Sequence, residues 1–267
     1  MKKSLLWAAS LVITLVFAVF QRLTGPTYPL RGEVPLPEAG AAYRLVRSCE
    51  TGADCLVLRT RADLTGDLFW RRYRTGSAWT RRPFVCRAGA CGAAIPSQPP
   101  AGKVEYYIEP SALPASAKLP ARPVVARFKG AVPAGILVPH VVLMFLFMLF
   151  SVRIFLSAAA GFPPVRHSVP ATVLFLILGG FVFGPLTQYY AFGRAWTGFP
   201  FGADLTDNKT LLMLAFWLAA LRASVSGKYT RFWLIAAFAV TAAVYFVPHS
   251  LFGSELDYGS GAVVTGK

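Results

Sequence analysis

The side chains with chemical potential in this 267-residue chain gather in three places. Asp204, Asp207, Asn208 and Lys209 form a polar run inside GFPFGADLTDNKT. Glu255 and Asp257 follow an apolar stretch that ends in Pro248-His249. His140 lies within another apolar stretch. Paired carboxylates act as acid and base when their surroundings split their pKa values. Two histidines at equal depth on separate helices can hold haem axially. They can also hold a metal with Asp204, Asp207, Glu255 or Asp257. A polar run at a helix start can coordinate an ion or substrate, as in transporters. Plainer roles compete with each of these. Thr206 or Asp207 can cap a helix by accepting its free amides. Acids there complement the helix dipole, and Lys209 can pair with one of them. His140 and His249 can simply bond backbone at a membrane boundary. No P-loop, G-x-S-x-G, H-E-x-x-H or C-x-x-C-H signature is present, so no cofactor and no metal site is expected.

The elements that position these residues follow from where charge is absent. The chain is 55% hydrophobic and only 15% charged, against about 25% charged in soluble domains. Five stretches read as membrane spans, four of them near the roughly 20 apolar residues a crossing needs. They follow Lys3, Gly130, His167, Lys209 and Arg231. The fourth, between Lys209 and Arg222, is short and spans only if those two side chains snorkel to opposite surfaces. Lys2 and Lys3, Arg153 and Arg166, and Arg222, Lys228 and Arg231 mark the cytoplasmic connections. This predicts a bacterial inner-membrane protein with a cytoplasmic N-terminus and a periplasmic C-terminus. The first stretch ends in Phe17-Ala18-Val19-Phe20-Gln21, a poor cleavage site, and reads as an uncleaved anchor. Apart from His140 and tyrosines the spans carry no deep ionisable group, which argues against an ion-coupled pump. Gly179-Gly180, Gly184 and Pro185 predict close packing and a kink in the third span.

Four segments result: an anchor over 1–21, an external all-β sandwich over 22–133, a four-helix bundle over 134–254 and a short external tail over 255–267. All four cysteines lie in the second, as an oxidising compartment favours. Cys49 and Cys55 flank one turn-like run, and Cys86 and Cys91 flank another. Two local disulfides are expected, with metal or redox use of the cysteines as the alternative. Seven short alternating runs, among them CLVLRTR, DLFWRRYR and KVEYYIEP, read as strands. In KVEYYIEP the core face falls to Val104, Tyr106 and Ile108.

The run PPAGKVEYYIEP resembles the late-strand region of immunoglobulin-like and fibronectin-type modules, where a Tyr packs near a corner. QRLTGPTYP, GFPFGADLTDNKT and PHSLFGSELDY resemble segments of a family of multi-pass bacterial inner-membrane proteins of unassigned activity. That resemblance implies a membrane location and carries over no catalytic residue.

The net charge of +15 divides between short connections and the sandwich. From Gln21 to Gly135 there are 17 Lys and Arg against eight Asp and Glu. Arg71, Arg72, Arg74, Arg81 and Arg82 read as a basic patch for an acidic partner, or as a solvated face of an Arg-rich sequence. The expected partners are the lipid bilayer and a protein or other envelope component on the periplasmic face. Nucleic acid is not expected there. The leading expectation is a non-enzymatic interaction or assembly protein. The alternatives are a redox component using His140 and His249, and an outer-face enzyme acting on lipid-linked or glycan substrates.

Overall fold

The computed structural model describes residues 2–35, 40–60, 64–87, 89–114, 117–163, 167–248 and 253–265. The β-rich part contains β1 (Leu30–Val34), β2 (Ala41–Leu45), β3 (Ser48–Glu50), β4 (Cys55–Thr60) and β5 (Gly66–Arg72). It continues with β6 (Thr80–Pro83), β7 (Val85–Arg87), β8 (Ala90–Ile95), β9 (Lys103–Pro110) and β10 (Leu119–Lys129). One sheet runs β1-β2-β4-β8-β7 and the other β3-β10-β9-β5-β6. All pairings are antiparallel except β3 on β10, which is parallel. The sheets meet through alternate side chains, because strand residues face opposite sides in turn. Leu45, Val57, Leu58 and Ile95 come from one sheet, and Leu68, Val104, Tyr106, Ile108 and Phe128 from the other.

Within that core the Tyr106 hydroxyl donates to the Val46 carbonyl at 2.6 Å. Burial pushes this phenol well above its usual range, which keeps its proton in place as the donor. Its partner lies ahead of β3, far along the chain, so the tyrosine ties the start of the sandwich to β9. That differs from the corner role the sequence suggested.

Cys49 is bonded to Cys55 and Cys86 to Cys91. The first ties β3 of one sheet to β4 of the other and the second staples the β7–β8 hairpin, across sequence separations of 6 and 5 residues. Short loops of this kind remove about 2 kcal/mol of unfolded-state entropy each. Replacing Cys49 and Cys55 together by Ser should therefore lower stability by about 2 kcal/mol, measured as an earlier thermal transition with the secondary-structure signal intact.

The helices are α1 (Lys2–Thr24), α2 (Ala134–Ala159), α3 (Ser168–Phe192), α4 (Leu205–Ser226) and α5 (Thr230–Phe246). The first four are long and apolar enough to cross a membrane, and α5 is shorter, at 17 residues. The sequence placed the short span one helix too early. The cause is the start of α4. It begins at Leu205, capped by Asp204, so Lys209 sits a turn inside the helix instead of bounding it. α2 likewise runs past its expected end. Arg153 is thereby buried within it, bonded to Ser157 and set over the Trp7 ring. The apolar helix α2 thus holds a buried charge that the sequence assigned to a connection.

Helix ends follow their residues. Gly193 and Gly227 close α3 and α4 in the left-handed conformation, where a Cβ is strained. The expected kink in α3 is a π-helical turn over Ile177–Phe183. Its glycines admit neighbours closely: a Cβ on Gly180 would lie 2.7 Å from Thr210 Cγ2 on α4. Phe147, Ile154, Leu176, Met213, Trp217 and Leu234 form the helical core. Trp217 Nε1 donates to Thr241 Oγ1 at 2.9 Å, satisfying the one polar atom of that ring. Outward, α1 shows Leu11, Val12, Leu15, Val16 and Val19, and α2 shows Leu137, Val138, Val141 and Val142. Apolar stripes of this extent on several helices are surfaces that avoid water.

Residues 255–265 form a hairpin instead of trailing as a tail. β11 (Glu255–Leu256) and β12 (Val263–Val264) pair antiparallel, and Leu256 N–H donates to the Ala101 carbonyl at 3.0 Å.

Candidate functional site

Polar residues of the α3–α4 loop, the start of α4 and Ser254 meet where the helical part joins the sandwich. The α3–α4 loop folds back over the start of α4. Asp207, in the first turn of α4, turns its Oδ2 into that loop. It accepts the Thr197 N–H at 2.6 Å and the Gly198 N–H at 2.9 Å, with Gln188 Nε2 at 3.4 Å. Asn208 Oδ1 accepts the Phe199 N–H at 2.7 Å. Gly198 is required here, because a Cβ would come within 2.5 Å of the Asp207 Cβ.

Asp204 is the helix cap, in place of the expected Thr206 or Asp207. Its Oδ1 accepts the Thr206 N–H at 2.8 Å. Its Oδ2 accepts the Ser254 N–H at 3.2 Å and the Ser254 hydroxyl at 3.3 Å. The Thr197 hydroxyl lies between the acids, 3.2 Å from Asp204 Oδ2 and 3.4 Å from Asp207 Oδ2. It accepts from Gln188, so its single proton serves one carboxylate at a time. Both acids are at most 5% exposed. Charge-assisted bonds of this number satisfy a buried carboxylate without a cation in contact.

The same network extends into the sandwich. Arg127 on β10 donates to the Ser254 carbonyl and stacks 3.8 Å over the Phe192 ring at the end of α3. Burial lowers its pKa to about 10, against the raising effect of the Asp204 and Glu255 charges, so it stays cationic at neutral pH. Gly130 N–H donates to the Ala191 carbonyl at 2.9 Å. Glu255 pairs with Lys103 at 2.6 Å and with Arg74 at 3.6 Å. Burial pulls the Lys103 ammonium below its usual range, although the Glu255 bond works the other way. Tyr258 donates to the Lys103 carbonyl at 3.1 Å, and burial raises its phenol to about 12. Asp257 is exposed in the β11–β12 turn, where it accepts the Gly259 and Ser260 amides. Of the four candidate carboxylates, only Asp204 and Asp207 come together. Glu255 and Asp257 belong to the hairpin.

The imidazole of His140 donates from Nδ1 to the Gly179 carbonyl at 2.9 Å, which also accepts the Gly184 N–H at the end of the π turn. His249 lies outside the described residues. Among the described residues, no three His, Cys, Asp or Glu side chains converge as a metal site. Among the described residues Lys209 makes no ion pair within 4 Å of an acid. Its Nζ donates to the Val247 carbonyl at 3.2 Å and reaches the Pro248 carbonyl at 3.5 Å. Gln21 on α1 donates to the Tyr245 carbonyl. Together they satisfy the C-terminal carbonyls of α5, which a helix end leaves open. Beneath lies a cavity of about 550 Å³, lined by His140, Met144, Met148, Gln188, Lys209 and Met213 among others.

The five arginines do not form one patch. Arg71 pairs with Glu105 at 2.6 Å and lies 4.4 Å over the Trp79 ring. Arg81 pairs with Asp67 at 2.7 Å, and Arg82 with Asp54 at 3.5 Å. Arg72 sits over Tyr258, and Arg74 reaches Glu255. Residues 71 and 72, like 81 and 82, point to opposite faces of their sheet. What the outer face of the second sheet does carry is an aromatic stack. Phe69 lies parallel to Tyr107 at 5.2 Å, and Trp79 meets Tyr107 edge-on at 4.8 Å. Sequence reading missed Thr197, Ser254, Gln188 and Arg127, whose roles arise only from contacts across the chain. Thr197 and Ser254 left a trace, as members of the Trp196–Lys209 run and of PHSLFGSELDY.

Comparison with protein-family models, with curated proteins and with solved structures finds no match to this chain.

Proposed function

We propose that the chain is an integral protein of the bacterial inner membrane that holds an immunoglobulin-like domain rigidly at the periplasmic surface. There it serves as an interaction or assembly module. The observation that carries this reading is how Asp204 and Asp207 use their oxygens. They are spent on the chain's own amides and hydroxyls, and their network links the α3–α4 loop to Ser254 and, through Ser254, to Arg127. Carboxylates so engaged clamp a domain. An acid–base pair instead needs oxygens directed at a substrate.

The strand order supports the domain assignment. β2-β4-β8-β7 follows the A-B-E-D order and β10-β9-β5 the G-F-C order of immunoglobulin sandwiches. The disulfides depart from that pattern in position: Cys49–Cys55 joins the two sheets from β3 to β4, Cys86–Cys91 closes the β7–β8 hairpin, and neither links the strands in the B and F places. The partner face we favour is Trp79 and Phe69, packed over the buried Tyr107 ring and flanked by Arg71 and Arg81. Aromatic and Arg anchors ringed by paired charges are what binding hot spots use. The test is affinity purification of the full-length protein after cross-linking in cells, beside an Arg71→Ala/Trp79→Ala variant. The reading expects a defined partner band that falls at least about tenfold in the variant, the loss of one hot spot. The same partners at equal yield would overturn it.

A further inference from the structure

The cavity at the junction end of the helices has two unlike halves. Its floor is Val141, Met144, Phe145, Met148 and Met213. Its roof holds three cations, Arg22, Arg127 and Lys209, with Gln21, Thr187 and Gln188 between them. Four buried polar atoms belonging to lining residues have no hydrogen-bond partner among the described residues. They are Thr14 Oγ1, Gln21 Oε1, Arg127 Nε and Thr187 Oγ1. Native interiors leave few such atoms, so four around one cavity require an explanation. The Arg127 side chain is more than nine-tenths buried and retains a free Nε–H donor. Gln21 Oε1 is a pure acceptor and calls for a hydroxyl. The roof carboxylates Asp204 and Asp207 are already saturated by the network above, and three cations outnumber them. About 550 Å³ is within the size range of small-molecule sites, about 300–1,000 Å³.

We infer that this cavity binds one anionic, hydroxyl-bearing glycerolipid. Its acyl chain lies on the methionine floor, and its phosphate meets Arg127, Arg22 and Lys209. Methionine is the side chain best suited to an irregular, flexible chain, because its unbranched thioether adapts to the shape present. The headgroup hydroxyl donates to Gln21 Oε1. Thr187 Oγ1 is placed to bond the same headgroup. The bound lipid would then bridge α1, α2, α3 and α4 directly beneath the Asp204 network.

The inference rests on the bilayer setting proposed above, so the two are tested apart. Sedimentation of the chain with washed membranes tests the setting. Native mass spectrometry of delipidated full-length protein in dodecyl maltoside tests the lipid. The probes are 1-palmitoyl-2-oleoyl phosphatidylglycerol, phosphatidylcholine with the same chains, and inorganic phosphate. One phosphatidylglycerol per chain is expected, retained at least about tenfold more strongly than phosphatidylcholine. The loss of one hydrogen bond to a charged group sets that tenfold scale. Arg127→Met should remove the preference by weakening the headgroup contact. Met144→Trp, which fills the floor and leaves the cations in place, should reduce binding of both lipids. The second variant keeps the test decisive if the first fails to fold. Equal retention of the two lipids overturns the inference, as does displacement by inorganic phosphate alone. Wild-type binding in both variants does so as well. A membrane-bound chain with no phosphatidylglycerol preference refutes the lipid site alone. A chain absent from membranes refutes both.

Discussion

Asp207→Ala should destabilise the protein by about 3–5 kcal/mol, the largest effect of any single substitution in the junction. Among the described residues the Asp207 carboxylate is the acceptor of both the Thr197 and Gly198 amides, at 2.6 and 2.9 Å, and it is buried. Alanine strands both donors. A buried donor without a partner costs about 1–3 kcal/mol, and the charged bonds themselves contribute more than neutral ones. Gly198 packs so closely on residue 207 that a Cβ at position 198 would come within 2.5 Å of the Asp207 Cβ, so little room is left for the loop to shift toward α4. Asp207→Asn keeps one acceptor oxygen and should cost about 1–2 kcal/mol, as a neutral bond replaces a charge-assisted one. Thermal unfolding in detergent resolves the two variants. Equal transitions for Ala and wild type would mean that the loop is not held by this carboxylate.

Asp204→Ala comes second, at about 2–4 kcal/mol, and its signature is local. The cap of α4 accounts for about 1 kcal/mol of it. The remainder is the loss of the acceptor for the Ser254 amide and hydroxyl. Ser254 begins the segment that leads into β11 and is the residue Arg127 grips by its carbonyl. Freed from α4, residues 253–265 should become the first site of cleavage in limited proteolysis, while the core of the sandwich resists. A variant that unfolds as a whole, with no early C-terminal clip, would show that the hairpin is held by Lys103 and Tyr258 alone.

The β-sandwich and the apolar helices were legible because both follow from periodicity. Val104, Tyr106 and Ile108 alternate into the core, and the cysteines flank turns short enough to bridge. Helix boundaries were less legible. A charge inside a span looks like the end of the span, so Lys209 and Arg153 displaced the expected limits of α4 and α2. The backbone carbonyls of α5, and Ser157 with the Trp7 ring, are what let those charges enter, and none is visible from local composition. β1 and the β11–β12 hairpin were missed because five and two residues carry too little alternation. The site was half legible. Asp204 and Asp207 stood out as a polar run, but their partners at 188, 197, 198 and 254 are fixed by tertiary contact. The arginine cluster read as one patch because sequence adjacency hides the alternation of strand faces.

The central claim is that the helices span a membrane with the sandwich and the C-terminal hairpin on its outer side. All four cysteines are in disulfides, so single added thiols can be labelled against a silent background. Ala78→Cys lies in the exposed β5–β6 loop, Ser260→Cys in the hairpin turn and Lys228→Cys in the α4–α5 turn. A membrane-impermeant maleimide on intact spheroplasts should label positions 78 and 260 and leave 228 untouched until the membrane is opened. Labelling of 228 alone, or of all three alike before permeabilisation, would contradict the account.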